Sequence, residues 1–434
     1  MKLKAGFRSC LLGVAFLLVL AGCSSGTSNE VDGEQEAGNE DVVLRVAWWG
    51  GQERHDMTIE AIELFEEKYP HIQVDPEFTS WDNYWERLTT QAAGNNLPDV
   101  IQMDNSKLNE YSSRGLVIDL QSLIADGTIN LDDVDDVYQD MNVQDGSVWA
   151  VSAGSNALAA IYNEEMLEEQ GIQLEPGYTY ENFYEAMQTL KENIDGDFYG
   201  YDFGNAEYEM FFVYARQNGE SFYNEDGTGL GFENQTLIDF LTFVKQMVDD
   251  GVAPPHALTL EYIQGGESLL GDQMAGAAMA ASNGIIGLQQ STEHQLGLML
   301  LPSLDGGVHG NWIRPSMSYS ISSHSEQQEA AALFIDFLTN DLEANEILKA
   351  ERGVPISSKV REHLAPMVDG PIAKTFEFLE LVANYTSPAD PLPPPGESEV
   401  RGAFLRMIES VKYERLSIEE ATEQFRQEAE QILR

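Results

Sequence analysis

Between Val42 and Met103 the chain alternates strand-like and helix-like apolar patterns, and this alternation narrows its possible folds more than any other feature. "VVLRVAWW" predicts a strand. "DMTIEAIELFEEKY" predicts a helix, with Ile59, Ile62, Phe65 and Tyr69 on one stripe and Pro70 as its stop. "IQVDPEF" is the next strand, "DNYWERLTTQAAGNN" a helix ended by Gly94 and Asn95, and "PDVIQM" a third strand. Strands joined by crossover helices lie in a sheet covered on both faces, so the order β-α-β-α-β predicts an α/β fold with mostly parallel sheets. Ligands of such sheets bind where strands end and helices begin. "GGQERH", "DNSK" and "SAGSN" occupy such ends. Further on, "NFYEAMQTLKENI", "QTLIDFLTFVKQMVDDG" and "EQQEAAALFIDFLTN" are amphipathic helices. "DGGVHGNWIRPS" is a loop entering the alternating strand "MSYSISS", and "SPADPLPPPGES" is a proline-rich loop.

The first 22 residues predict a targeting segment. Lys2, Lys4 and Arg8 precede the apolar run Leu11 to Leu20, which is short for a membrane span. "LVLAGC" then resembles the bacterial lipobox, which implies cleavage before Cys23 and lipidation of that residue at the outer face of the cell membrane. Residues 23–41 hold six acids, no base and no aromatic, a composition that predicts a flexible tether. Cys10 leaves with the signal, so no disulfide or thiolate metal cluster is expected in the mature chain.

Seventy-three acids face 24 bases, a net charge of −49, which excludes nucleic acid as a partner because phosphates would be repelled. Such acidity also makes neighbouring carboxylates poor evidence of catalysis. Phosphate-loop, zinc-protease, nucleophile-elbow and C-x-x-C signatures are missing. "LDDVDDV" lacks the glycine and closing glutamate of a calcium loop, so no metal and no cofactor is expected.

"FEEKYPHIQV", "TTQAAGNNLPDVIQMD", "YSSRGLVIDL", "GSVWAVSAGSNALAAIYNEEML", "DGVAPP", "MAGAAMA" and "EAAALFIDFL" follow one another in register. Together they resemble the extracellular solute-binding proteins of carbohydrate ABC importers, the group that contains maltose-binding protein. "WWG…RH", "WDNYW" and "IQMD" look closest to binders of plant-cell-wall oligosaccharides, including pectin-derived ones. The resemblance implies a two-lobed periplasmic-binding-protein-like fold of type II, with hinge crossovers and a ligand held in the cleft. The expected lobes are 42–154 with 317–358, and 155–316 with 359–434. It implies a monomer that hands an oligosaccharide to a two-subunit permease driven by an ATPase, and performs no catalysis. An exported glycosidase or lyase, and a binder of this fold for a polyamine or metal, are the competing readings.

Sugar sites combine aromatic platforms with planar hydrogen-bonding groups. Trp48 and Trp49 must point to opposite faces of their strand. One of them, with Gly50, Arg54 and His55, is expected in the cleft. Trp81, Tyr84 and Trp85 share a helix and suit either a platform or the core; Trp81 and Tyr84 are taken as candidates. The resemblance adds Met103, Asp104, Asn156, Glu207 and Tyr208. In "AASNGIIG", Asn283 is a polar candidate and Ile285 stands where relatives often carry tryptophan, which moves stacking to Trp312. Arg54 and Arg314, one from each lobe, are expected to hold a sugar carboxylate.

Overall fold

The computed structural model describes residues 41–434 apart from 145, 306–308, 388, 389 and 391. Cys23 and the segments before and after it, 1–22 and 24–40, lie outside the described residues. The chain opens as expected: β1 (Val42–Trp49), α1 (Gln52–Lys68), β2 (Ile72–Thr79), α2 (Trp81–Ala93), β3 (Val100–Met103) and α3 (Asn105–Ser113). A short hairpin follows, β4 (Val143–Gln144) with β5 (Ser147–Val148). Next come β6 (Val151–Asn156), β7 (Leu158–Asn163), β8 (Tyr199–Asp202), β9 (Ala275–Ala281), β10 (Leu296–Met299) and β11 (Arg314–Ile321).

Two larger sheets result, ordered β2-β1-β3-β11-β6 and β10-β7-β9-β8. They are mixed, which corrects the expectation of mostly parallel sheets. β1 runs parallel to β2 and β3, and β8 parallel to β9. β11 is antiparallel to both β3 and β6, and β7 to both β9 and β10. The cause lies in the crossovers. β6 leaves the first sheet and becomes β7 of the second after Ala157 alone, and β11 re-enters the first sheet from the opposite direction. No local pattern announces such a return, because its direction is set by the other sheet.

Trp48 and Trp49 show how the first sheet is buried. Both are nearly inaccessible, yet they belong to different apolar layers. Trp48 packs with Phe65, Phe334 and the α1 face, while Trp49 packs with Tyr84, Leu88 and the α2–α3 face. A strand buried on both sides sends alternate residues into two cores. The second sheet rests on an aromatic cluster in which Phe211 meets Phe222, Phe232, Phe240 and Phe404. Helix Gly370–Ala383 packs Phe378, Leu379 and Val382 into the first sheet's cluster. Among the described residues no helix is long and apolar enough to cross a membrane.

Candidate ligand-binding cleft

A cavity of about 770 Å³ lies where the two sheets' layers face each other across the crossovers. That volume falls within the range of about 300–1,000 Å³ usual for small-molecule sites. One wall comes from α2 and the start of α3, the floor from Asn156 and the β11 entry, and the other wall from helices Glu207–Gln217 and Glu397–Lys412.

The α2 wall is aromatic. Trp81 is 42% exposed and stands edge-on to Trp49 at 4.9 Å and to Trp85 at 5.5 Å. Trp49 therefore buttresses the platform from behind. Trp85 Nε1 is buried and has no partner. Beside them Asp104 caps α3, accepting from Ser106 N at 2.9 Å and Ser106 Oγ at 2.6 Å. A carboxylate at a helix start satisfies free amides and suits the local dipole.

The floor is a polar relay. Asn283 Oδ1 accepts from Asn156 Nδ2 at 3.3 Å, and Asn156 Oδ1 accepts from Arg314 Nε at 2.9 Å. Asn283 itself does not line the cavity and acts through Asn156. Among the described residues no carboxylate comes within 4 Å of the Arg314 guanidinium. Burial lowers its pKa, and the more distant Glu209 and Asp104 oppose that shift.

The opposite wall is charged and cross-linked. Arg401 donates to Glu209 Oε1 at 3.0 Å and sits over the Tyr208 ring. Tyr208 donates to Glu397 Oε1 at 3.2 Å and shares a 3.0 Å bond with the Tyr223 hydroxyl. Burial raises the Glu397 pKa, while Tyr208 and Arg401 hold it down and Asp104 and Glu209 add to the rise. Arg216 lies 4.8 Å from the Trp312 ring and donates to Asp390 Oδ1 at 2.6 Å. Asn105 Oδ1, Glu209 Oε2 and Asp390 Oδ2, all in residues lining the cavity, are buried acceptors without a partner.

Of the candidates from sequence, Trp81, Asp104, Asn156, Tyr208, Trp312 and Arg314 line this cavity. The others do not, each for a visible reason. Trp48 is core, its Nε1 donating to His55 Nδ1 at 3.1 Å, and burial lowers the His55 pKa. Arg54 turns away and binds Glu351 through Nε at 2.9 and 2.8 Å. Gly50 serves that turn, since a Cβ there would lie 2.5 Å from Arg54 Cδ. Tyr84 is core and donates to Gln102 O at 2.6 Å. Met103, the last residue of β3, is fully buried in the cluster of Trp49 and Tyr84. Glu207 is buried in an ion pair with Lys412. Sequence reasoning missed Glu209, two positions along the same helix. A two-residue step rotates a helical side chain by about 200°, so helical phase carried the signal. Lys107, Asp390, Glu397 and Arg401 were also missed, and nothing local marks them among so many charges.

Residues 54–343 match the family described as bacterial extracellular solute-binding protein. The diacetylchitobiose binding protein DasA of Streptomyces coelicolor is 23% identical over 391 residues, 87% of this chain and 89% of that protein. A solved family 1 extracellular solute-binding protein from Alicyclobacillus acidocaldarius is 28% identical, with a TM-score of 0.74, 91% of this chain covered and 99% of that one. A periplasmic oligogalacturonide binding protein from Yersinia enterocolitica, solved with saturated digalacturonic acid, superimposes with a TM-score of 0.76 at 24% identity, covering 90% of this chain and 98% of that one. With two thirds of its length matched and its two-sheet fold shared, the chain belongs to the bacterial extracellular solute-binding protein family.

Proposed function

We propose that this protein captures an oligosaccharide in the cleft, closes its two lobes on it and delivers it to an ABC permease. The unpartnered acceptors Asn105 Oδ1, Glu209 Oε2 and Asp390 Oδ2 carry this reading. A buried acceptor left unpaired costs about 1–3 kcal/mol, so the favoured occupant brings several O–H donors at once. Sugars do, and their C–H faces suit Trp81, Trp85 and Trp312. Their ring hydroxyls also accept, which meets the need of Trp85 Nε1. Closure turns on the crossovers at 156–158 and 313–316, the hinge motion usual for such binders.

A uronate-containing chain is the ligand proposed, because Arg314 offers a guanidinium that no carboxylate of the protein occupies among the described residues. A polyamine fits less well: Glu209 Oε2 and Asp390 Oδ2 lack hydrogen-bond partners, but the charge of each carboxylate is already balanced by Arg401 or Arg216. Calorimetry with oligogalacturonides and their carboxyl-reduced counterparts tests the reading. Binding of both series, tighter for the acidic one, supports it; release of new reducing ends would replace it with a glycosidase or lyase. The same proposal has the mature protein held at the extracellular face of the cell membrane through a lipid on Cys23, a reading supported by the lipobox-like "LVLAGC". Cys23→Ser should move it from the membrane fraction to the soluble one; continued attachment would disprove the anchor.

A further inference from the structure

A second chamber, about 1,200 Å³, adjoins the first. Both are lined by Met141, Phe212, Ile313, Asp390, Leu392 and Pro393, so the two adjoin along one groove at Leu392 and Pro393. That segment is held to the first lobe. Leu392 is buried in the cluster of Trp49 and Tyr84, and Asn109 Nδ2 donates to Pro393 O at 2.8 Å.

The chambers differ chemically. Among the described residues the second has no tryptophan, and its guanidinium, Arg434, already lies near Glu430 at 3.7 Å. Glu225 and Asp226 stand at its rim and Val137, 44% exposed, in its wall with Pro394 and Pro395. Gln144 Oε1, in a residue lining this chamber, is again a buried acceptor without a partner. Unpartnered acceptors thus run from Asn105 and Glu209 through Asp390 in the shared wall to Gln144. A ligand confined to the first chamber satisfies only part of that series.

We infer that the second chamber is a binding subsite for further, uncharged pyranose units of the same chain, beyond the unit read by Arg314. This rests on the oligosaccharide reading above. Hydroxyl donors would meet Gln144 Oε1, C–H faces would meet Val137 and the prolines, and Glu225 and Asp226 would repel a carboxylate.

The test is calorimetry with galacturonate oligomers of two, four and six units, unesterified and partly methyl-esterified with one free terminal carboxylate. In the esterified series affinity should rise at least fivefold from the shortest to the longest, and less in the unesterified one. Gln144→Leu, or Val137→Asp as a second, exposed variant, should abolish the gain while leaving the dimer's affinity unchanged. A flat series in the wild-type protein, or a gain retained in both variants, overturns the subsite. Equal gains in the two series overturn its preference for uncharged units. Binding at no length overturns the oligosaccharide reading itself and the subsite with it.

Discussion

The two walls of the cleft are built from different materials. The α2 wall presents Trp81 and Trp85 on a bed of Trp49 and Tyr84, and its aromatic edges hold one another without an ion pair. The opposite wall is a lattice of Arg401–Glu209, Arg216–Asp390 and Tyr208–Glu397. Ring faces attract any sugar through dispersion and C–H contact and are tolerant of its pattern of hydroxyls. A fixed lattice of donors and acceptors discriminates, because a mismatched ligand leaves a buried group unpaired. On the proposed oligosaccharide reading, one wall therefore supplies grip and the other supplies choice, with Arg314 on the floor between them.

The largest expected effect separates the two exposures of tryptophan within the first lobe. Trp48→Ala removes a fully buried side chain and should destabilise the fold by about 3–5 kcal/mol, read from urea unfolding. Trp81→Ala, at a residue 42% exposed, should leave the midpoint nearly unchanged. It should instead weaken acidic and neutral oligosaccharides alike, by about 0.5–1.5 kcal/mol. If Trp81→Ala discriminates between the two ligands, the aromatic wall is doing more than gripping.

Arg314→Ala comes next and acts in the opposite sense. Losing a charge-assisted bond costs about 1.5–3 kcal/mol, so uronate affinity should fall tenfold or more while the carboxyl-reduced ligand is spared. Isothermal calorimetry on both ligands decides it. Equal losses would mean that Arg314 shapes the floor through Asn156 without reading charge.

These two side chains also mark what the sequence made legible. The strand alternation in 42–103 and the opposed faces of Trp48 and Trp49 follow from periods of 3.6 and 2, which are local. Arg54 and Arg314 looked equivalent in sequence, yet Arg54 meets Glu351, 297 residues away, and Arg314 meets Asn156. In a chain with 73 acids, any arginine has many partners on paper, and only the folded path selects one. The same holds for β11, whose antiparallel entry depends on the second sheet. Glu207 and Glu209 are the exception: their separation was a matter of helical phase and lay within reach.

The smallest effect probes the choosing wall through pH. Burial raises the Glu397 pKa above the ordinary glutamate range, so between the unfolded and folded values the native state holds more protons than the unfolded state. Stability from this group is then fully present below the unfolded value and is lost as pH rises through the folded one. Glu397→Gln imitates the protonated form, keeps an acceptor for the Tyr208 hydroxyl and cannot ionise. At acidic pH the variant and the wild-type protein should melt together. From about pH 4 toward neutral pH the variant should become progressively the more stable of the two, because the carboxylates remote from Glu397 titrate alike in both proteins and its neighbours Asp104 and Glu209 lose a repelling charge in the variant. Scanning calorimetry across that range reads the difference directly. A difference that stays constant with pH would mean that Arg401 and Tyr208 offset the effect of burial, so that Glu397 titrates alike in the folded and unfolded states.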